Sequence, residues 1–484
     1  MEYTNLFVPG RVSIIGELSD IVVDYKKENS TITPGEVIAG GIEKGIYATA
    51  TLSKDFIFEF NNETFTIKNM NLTQLKKTAK SNCFYSYVSS VAYYMKKNFK
   101  TSGISIKVLH MTLPIQKGLS SSASVCVLVT KAFNKLYNLN LEYNDIMEIA
   151  YQAERFALSM CGRLDQICAK GLGVSHIIFH EDKLEVNKLN VSKELNFVIA
   201  DLNGFKDTKK ILSTLHSCFP FPKTPAEESV KYTLCEGNHH LVNEAIKAIE
   251  NGDSKYLGEI LIQAQTNLDN SGGRICKELE GPLLHKVMSD DTIKKHSYGT
   301  KGTGSNGDGS IVVLAKDKKS QTKLIQYLKE KYQMNSFEFN LKKTHKISSA
   351  IINTFNESYD ENKILSLLNK LDFMNFNDIT IVLTENEKQK FDKLLNKQYS
   401  IRDFEKLSNK DKEHQIKLCR IYERIRFVIS DTFDIKNNTT NISNPTIYIP
   451  NYNSTDIENI LEKYDINQSN KNEIDLTKIF IIDK

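Results

Sequence analysis

Residues 114–124 read Pro114-Ile-Gln-Lys-Gly-Leu-Ser-Ser-Ser-Ala-Ser124, and the expected fold rests on them more than on any other segment. An apolar segment at residues 104–109 precedes them and alternates like a strand, while an apolar segment at residues 121–137 follows with helical spacing. Gly118 permits the unusual dihedral angles of a tight loop. The sequence therefore predicts a strand, a glycine- and serine-containing loop and a helix in direct succession.

This loop has the chemistry of a phosphate site. Successive backbone N–H groups can point inward and form an anion nest. The helix begins inside the loop, so its unsatisfied N–H groups and the positive end of its dipole face whatever the loop holds. A serine-rich helix cap without a ligand is the alternative, since serine is a favoured N-cap residue. The full eleven-residue string, set between a strand and a helix, favours the phosphate site.

Two further segments carry residues suited to a ligand site. Arg11, Glu17 and Asp20 lie in or just after an apolar strand predicted at residues 6–15. Paired carboxylates accept several hydrogen bonds from hydroxyl groups, and an arginine suits phosphate, although a strand end with a surface turn has the same composition. Five glycines in residues 299–309 predict a second loop that a ligand could approach closely, or a flexible hairpin loop.

Two acidic residues complete the candidate site. Glu154 lies on a helix predicted at residues 144–159, and Asp165 follows in Cys161-Gly-Arg-Leu-Asp-Gln166. A carboxylate that accepts or orients the proton of a hydroxyl group assists its attack on a phosphoryl group, and Mg²⁺ takes oxygen ligands beside the phosphates. Either acid alone would equally suit a solvated surface.

Length and composition limit the classes of protein to which this sequence can belong. A chain of 484 residues exceeds one ordinary domain, and a net charge of +4 without a dense Lys/Arg stripe predicts no nucleic-acid partner. The N-terminus lacks the pattern of a secretory signal, and no run of about 18 apolar residues occurs, so we expect a cytoplasmic protein without a membrane partner. Eight scattered cysteines form no CxxC pair, which favours reduced thiols.

The order of predicted elements indicates an α+β protein with boundaries near residues 190 and 348. Residues 1–190 contain the first two motifs, with further strands predicted at 45–52 and 56–67. Residues 191–348 are more helical. Helices are predicted there at 226–251, 255–267 and 321–332, with strands at 197–201 and 310–315. Residues 349–484 are rich in Asn, Lys and Ile and mix helix-like and strand-like runs, which predicts a small additional α/β module of unknown role.

In this order the three motifs resemble those of the GHMP kinase superfamily, in its galactokinase-like, sugar-kinase branch. Residues 9–20, 114–124 and 299–309 look like its first, second and third motifs, and the resemblance covers residues 1–345. It implies a GHMP kinase fold, in which an N-terminal domain of the ribosomal-protein-S5-like domain 2 fold holds ATP against a ferredoxin-like C-terminal domain. The α/β module would be an addition to that fold.

The resemblance also implies roles for single residues. Asp165 would be the catalytic carboxylate, with Arg11 neutralising charge beside it, and Ser122 and Glu154 would hold Mg²⁺. Contacts to the acceptor would fall to Glu17, Asp20, Gly162 and Asp165. The cofactor ATP would be held by Pro114, Lys117, Gly118, Leu119, Ser120, Ser121, Ser122 and Ala123, and by Gly302, Thr303, Gly304 and Ser305.

The expected acceptor is a small molecule, with a sugar or sugar acid favoured and its anomeric hydroxyl a candidate position. Gly16-Glu-Leu-Ser-Asp20 keeps both acids of the galactokinase motif, whereas the mevalonate branch lacks the second. Leu18 stands where that motif has a histidine, and Asp308 adds an acid to the third motif. A basic pair, Lys206 and Lys209, could contact an acidic substrate or simply begin a solvated helix.

Two other functions remain open at this point. One is a kinase of a non-sugar alcohol such as mevalonate or homoserine. The other is a non-catalytic sensor that binds ATP and a sugar and signals through a partner, with residues 349–484 as a docking surface. The sequence leaves the choice between monomer and homodimer open as well.

Overall fold

The structure is a computed structural model, and it describes residues 3–113, 119–171, 173–181, 184–343, 349–353, 378–383, 389, 404, 406–422, 425–429, 447–452 and 478–483. The chain divides into two compact units. One comprises residues 8–343, and the other comprises residues 344–484 together with residues 3–7. A domain boundary near residue 190, inside the first unit, stays a prediction.

A mixed sheet organises the N-terminal half. Its strands are β1 (Thr4–Ile15), β2 (Gly35–Ser53), β3 (Phe56–Phe60), β4 (Glu63–Ile67), β5 (Gly103–Met111), β6 (Ser175–Phe179) and β7 (Leu184–Lys188). Over the described residues the sheet has seven strands in the order β4-β3-β5-β2-β6-β7, with β1 also paired to β2. The strand predicted at residues 56–67 is a hairpin, because Asn61 and Asn62 both take positive φ and turn the chain.

Helices of this half pack against the sheet and against one another. They are α1 (Leu72–Ala79), α2 (Ser86–Phe99), α3 (Ser121–Tyr137), α4 (Tyr143–Phe156) and α5 (Leu164–Cys168), with a 3₁₀ segment at Ser19–Tyr25. The helix predicted at residues 121–137 is confirmed with the same bounds. Most of α3 is buried, as its apolar composition requires, and it ends where Asn138 turns left-handed.

An antiparallel sheet forms the C-terminal half of the first unit. Its strands, β8 (Leu195–Asp201), β9 (Ser297–Gly302), β10 (Ser310–Ala315) and β11 (Ser336–Leu341), lie in the order β11-β8-β10-β9. The helices are α6 (Thr208–His216), α7 (Pro225–Leu234), α8 (Glu236–Asn251), α9 (Ser254–Ile275), α10 (Pro282–Met288), α11 (Asp291–His296) and α12 (Lys318–Tyr332).

Two predictions for this half were wrong in detail. The single helix predicted at residues 226–251 is broken at Cys235, whose φ of −105° and ψ of −100° are not helical. Residues 299–302, predicted as the start of a glycine-rich loop, belong to β9 and pair with β10. The loop itself is therefore confined to residues 303–309.

The second unit contains a parallel sheet. Strands β12 (Ser349–Asn353), β13 (Asp378–Leu383), β14 (Ile425–Ile429), β15 (Ile447–Tyr452) and β16 (Lys478–Asp483) lie in the order β14-β13-β12-β16-β15, and helix α13 (Asn409–Tyr422) precedes β14. All described pairings are parallel. The described parts of residues 349–484 thus contain both strands and a helix, and the assignment of the whole segment as an additional module stays a prediction.

The described residues contain neither a disulfide bond nor a helix suited to cross a membrane. The eight cysteines, all within the described residues, are free thiols, as their scattered spacing predicts. Within the described ranges, no helix has the length and apolar character needed to cross a membrane.

Candidate active site

An ion pair between Arg11 of β1 and Asp165 of α5 is the centre of the candidate site. The Nε of Arg11 lies 2.7 Å from Oδ1 of Asp165, and a second guanidinium nitrogen lies 2.6 Å from the same oxygen. Asp165 occupies the first turn of α5. Burial disfavours the charge of Arg11, but the Asp165 and Asp20 carboxylates more than compensate and raise the pKa of its guanidinium. Arg11 is therefore a permanent positive charge beside Asp165.

The phosphate loop is tied directly to the same strand. The backbone N–H of Arg11 donates to the Leu119 carbonyl at 3.3 Å. The hydroxyl of Ser124, in the first turn of α3, donates to the carbonyls of Pro9 and Ser120 at 2.9 and 2.8 Å. These bonds fix the N-terminus of α3 against β1. The helix N-terminus that is predicted to bind phosphate therefore lies beside the Arg11–Asp165 pair.

Ser120 precedes α3 with unusual backbone and side-chain features. Its φ of 64° is left-handed, which a non-glycine residue adopts uncommonly. Its Oγ is buried and has no hydrogen-bond partner among the described residues, a state that costs free energy unless a ligand or water satisfies it. This orphaned hydroxyl fits a ligand with acceptor oxygens. Pro114, Lys117 and Gly118, also predicted to hold ATP, lie outside the described residues.

Glu154 is a buried carboxylate on α4, with a relative exposure of 2%. Gln166 donates its amide to Oε2 of Glu154 at 2.8 Å, and Ser122 also hydrogen-bonds this carboxylate. Burial and the charge of Asp165 raise the pKa of Glu154 to about 7, against the opposing effect of these hydrogen bonds. A cation beside Glu154 would favour its ionised form, so the residue fits a metal ligand.

Asp20 is held by the loop that carries Asp165. Its Oδ2 accepts a hydrogen bond from the backbone N–H of Leu164 at 3.0 Å. Gly162 packs against this carboxylate so closely that a Cβ at position 162 would overlap it. Burial and the Asp165 charge raise the pKa of Asp20 to about 6, although the Leu164 N–H and Arg11 work in the opposite direction.

Glu17, predicted to contact the acceptor, is engaged by the C-terminal half of the unit. Its Oε1 forms a buried ion pair with Lys301 on β9 and accepts a hydrogen bond from Asn306 at 3.2 Å. Burial lowers the pKa of Lys301, and Glu17 partly restores it. Glu17 therefore joins the first motif to the third, a role that sequence reasoning missed.

Of the four third-motif residues predicted to contact ATP, only two line the cavity. Gly304 and Ser305 line the cavity described below, and Ser305 Oγ lies 3.2 Å from Thr208 Oγ1. Thr303 is fully buried and donates its hydroxyl to the Ser13 carbonyl at 3.0 Å. Gly302 lies behind the lining as well, and its backbone N–H donates to Gln265 at 2.8 Å.

Three charged residues that stood out in the sequence have structural partners. Asp308 accepts the backbone N–H groups of Leu283 and Leu284, both at 2.9 Å, and so caps α10. Lys206 is buried and donates to the Asn306 carbonyl at 3.1 Å, while Lys209 hydrogen-bonds Asn82. Both lysines nevertheless line the cavity.

These groups surround one cavity of about 650 Å³. The predicted site residues in its wall are Arg11, Glu17, Asp20, Ser120, Ser121, Ser122, Glu154, Gly162, Asp165, Gly304 and Ser305. Leu119 and Ala123 are buried behind the wall. A carboxylate paired with an arginine, a serine-rich helix end and a second, buried carboxylate thus line one cavity, an arrangement that suits phosphoryl transfer.

An aromatic wall was not anticipated from the sequence. Its members are Phe58 and Phe60 of β3 and Phe84, Tyr85 and Tyr87 around the start of α2. The rings of Phe60 and Phe84 stack with centroids 5.7 Å apart, and Phe84 packs edge-to-face on Tyr85 at 5.1 Å. Alternating phenylalanines in residues 56–60 were read only as a strand, because nothing local to them indicates a ligand.

Solved structures of known proteins share this fold. A galactokinase of Lactococcus lactis, in complex with galactose, superposes with a TM-score of 0.54 at 19% identity, covering 71% of this chain and 94% of that protein. A mevalonate kinase of Methanococcus jannaschii superposes with a TM-score of 0.54 at 17% identity, covering 71% of this chain and 99% of that protein. At these identities the likeness shows the fold alone.

Sequence comparison narrows the family. The model of the GHMP kinases N terminal domain matches residues 86–171. A galactokinase of Thermotoga maritima is 25% identical over 349 residues, which are 67% of this chain and 93% of that protein. A galactokinase of Pyrococcus furiosus is 26% identical over 348 residues, which are 65% of this chain and 89% of that protein. Residues 86–171 carry a GHMP kinase N-terminal domain, and the chain is similar to galactokinases. These similarities indicate a phosphotransferase with an alcohol group as acceptor.

The segment that matches the family model runs from α2 to just after α5. It contains the phosphate loop, Glu154 and Asp165, whereas Arg11, Glu17 and Asp20 precede it. The family model thus covers the residues assigned to Mg²⁺ and the second-motif residues assigned to ATP, while two of the four residues assigned to the acceptor, Glu17 and Asp20, lie outside it.

Proposed function

We propose that this protein transfers the γ-phosphate of ATP to a hydroxyl group of a sugar or sugar derivative, with Mg²⁺ assisting and Asp165 as the catalytic carboxylate. The observation that carries the proposal is the Arg11–Asp165 pair in the wall of the cavity that Ser120 and Glu154 also line. The galactokinases among its relatives support a sugar as acceptor.

Asp165 would accept or orient the proton of the attacking hydroxyl group. Arg11 holds this carboxylate with two contacts and brings a positive charge that offsets the charge of the transferred phosphoryl group. Asp20 and Gly162 lie next to the pair and would position the acceptor. The anomeric hydroxyl stays a candidate position for phosphorylation.

Glu154 and Ser122 are the residues that would hold Mg²⁺. Within the described residues, no group of three or more His, Cys, Asp or Glu side chains forms a cation site. A Mg²⁺ ion that accompanies a nucleotide usually takes one or two carboxylates and completes its shell with phosphate oxygens and water. One buried glutamate with a serine beside it therefore suffices. When bound, the ion would neutralise charge on the phosphate oxygens.

The nucleotide would extend from the helix end to the aromatic wall. Ser120 to Ser122 and the N-terminus of α3 suit the phosphates, because the N–H groups and the helix dipole favour anions. The stacked rings of Phe60 and Phe84 offer an apolar, flat surface for a base. Gly304 and Ser305 border the same cavity from the C-terminal half.

The test is ADP formation from ATP and Mg²⁺ with a panel of sugars, mevalonate and homoserine. We expect turnover with at least one sugar, and an Asp165→Asn variant that loses about 10²–10⁴-fold in kcat while still binding ATP. Glu338→Gln is the matched control, since Glu338 is an exposed carboxylate that pairs with Lys318 and does not line the cavity.

The other outcomes separate the alternatives. Turnover with mevalonate or homoserine but with no sugar would assign a non-sugar alcohol as acceptor. An Asp165→Asn variant that retains full cellular function, with no turnover of any alcohol by the unmodified protein, would point to a non-catalytic sensor.

A further inference from the structure

One wall of the cavity, next to Asp20, is apolar. Leu18, Ile21, Met160 and Leu212 all line the cavity. The same four side chains belong to, or pack against, one hydrophobic core cluster behind the wall. They come from the segment around Asp20, from the loop before Gly162 and from α6. We call these four residues the apolar wall.

The apolar wall is contiguous with the proposed acceptor groups along the backbone. Leu18 and Ile21 flank Asp20 in sequence, and Met160 lies two residues before Gly162, which packs on the Asp20 carboxylate. An acceptor held at Asp20 and Asp165 therefore has the apolar wall on one side. Its position follows from the same contacts that hold the acidic residues together.

Leu18 occupies this wall in a strained backbone conformation. Its φ of 71° and ψ of −6° are left-handed, which is an outlier for a bulky residue. Its side chain is buried all the same, with 6% relative exposure. Such strain persists when the surrounding structure holds it, and it is concentrated at functional sites.

One oxygen of each nearby carboxylate is already engaged within the protein. Oε1 of Glu17 is taken by Lys301 and Asn306, and Oδ2 of Asp20 accepts the Leu164 N–H. A hydroxyl group of the acceptor that faced the apolar wall would find no hydrogen-bonding group on Leu18, Ile21 or Leu212. A buried hydroxyl group without a partner weakens binding, whereas a methyl group gains from the same contact.

From this juxtaposition we propose that the acceptor is a deoxy sugar, with hydroxyl groups towards Asp20 and Asp165 and a methyl substituent against the apolar wall. The proposal rests on the proposed function, because it names the substrate class of the same site. Leu18 is then the residue that determines specificity between a methyl and a hydroxymethyl group.

The experiment compares pairs of sugars that differ by one hydroxyl group. Galactose, mannose and glucose are each paired with their 6-deoxy counterpart, as D and L isomers, and kcat/KM is measured from ADP release by the full-length protein. We expect the deoxy member of at least one pair to be favoured by about 10- to 100-fold, the range by which an apolar pocket discriminates against an added hydroxyl group.

Leu18→Asn provides the variant test. Asparagine tolerates the left-handed conformation and offers hydrogen bonds, so we expect the preference for the deoxy sugar to fall at least about fivefold. Leu158→Asn is the matched control, because Leu158 is also left-handed, with φ of 66°, but is 51% exposed and outside the cavity wall. Leu212→Asn tests the wall from another element if Leu18→Asn does not fold.

The outcomes distinguish the two proposals. Turnover in which hydroxylated sugars match or exceed their deoxy counterparts would overturn the deoxy-sugar proposal and leave the kinase in place. Equal loss of preference in Leu18→Asn and Leu158→Asn would overturn the role of Leu18. Absence of ADP release with every alcohol would overturn the proposed function itself.

Discussion

The surroundings of Asp20 disfavour the ionised form of its carboxyl group. Burial and the neighbouring Asp165 raise its pKa to about 6, compared with an ordinary value of 3.8. Between these two values the folded protein binds more protons at this site than the unfolded chain. The free energy of unfolding that Asp20 contributes is therefore present at low pH and is lost as the pH rises through about 6.

Asp20→Asn removes this titration. Relative to the unmodified protein, we expect the variant to gain stability as the pH rises from 4 to 7, by up to about 3 kcal/mol for a shift of about two pKa units. Urea unfolding at pH 4, 5.5 and 7 measures the difference. Glu338→Gln, at an exposed carboxylate, is the control. A difference between Asp20→Asn and the unmodified protein that does not change with pH would contradict this account.

At the scale of elements, the loop between α4 and α5 sets the geometry of the acids. Gly162 has no side chain, which lets the loop pack directly on the Asp20 carboxylate and brings the Leu164 N–H into hydrogen-bonding distance. The first turn of α5 then presents Asp165 to Arg11. A small change in this loop is therefore transmitted to both carboxylates.

We predict that Gly162→Ala displaces Asp20 and impairs use of the acceptor. The added Cβ would overlap the carboxylate, so we expect kcat/KM for the acceptor to fall by at least about tenfold, since misplacement by about 1 Å is costly. The Kd for ATP should stay within about twofold. Gly273→Ala is the control, because its Cβ would have room on α9. Unchanged acceptor kinetics in Gly162→Ala would refute the prediction.

Asp308 shows an element stabilised from a distant loop. Its carboxylate accepts two otherwise unpaired N–H groups at the start of α10, so the acid among the third-motif glycines has a structural role. We expect Asp308→Ala to lower the free energy of unfolding by about 1–2 kcal/mol, while Asp308→Asn keeps an acceptor and loses less than half of that. Thermal unfolding measures both, and equal losses would argue against capping.

At the scale of the whole first unit, one buried ion pair links segments 284 residues apart. Glu17 follows β1, and Lys301 lies on β9, so their contact holds the N-terminal sheet region to the C-terminal sheet. A buried pair contributes little net stability when intact, because both charges are desolvated. Removing one partner leaves the other buried and uncompensated.

We expect Lys301→Met and Glu17→Gln each to lower the free energy of unfolding by about 3–5 kcal/mol. The double variant should lose less than the sum of the two, since it leaves no isolated charge. Chemical unfolding of the four proteins forms a double-mutant cycle. Additive losses would show that the two residues act independently.

Local chemistry determined a large part of this protein. The helix of residues 121–137 follows from its apolar spacing, which is a property of neighbours in the chain. The bounds of α3 and β10 and the α/β character of the last module were predicted for the same reason. The order of three motifs was enough to indicate the family, because each motif carries its chemistry within about twelve residues.

Only the tertiary structure decided what those motifs face. The pairing of Glu17 with Lys301, the contact of Gly162 with Asp20 and the aromatic wall each join segments far apart in sequence, and no local pattern encodes such a contact. In the sequence, Leu18 is noticeable only because it stands where the galactokinase motif has a histidine. In the fold it becomes part of an apolar surface, because packing against Leu212 and Met160 gives it neighbours from elements about 140–190 residues away.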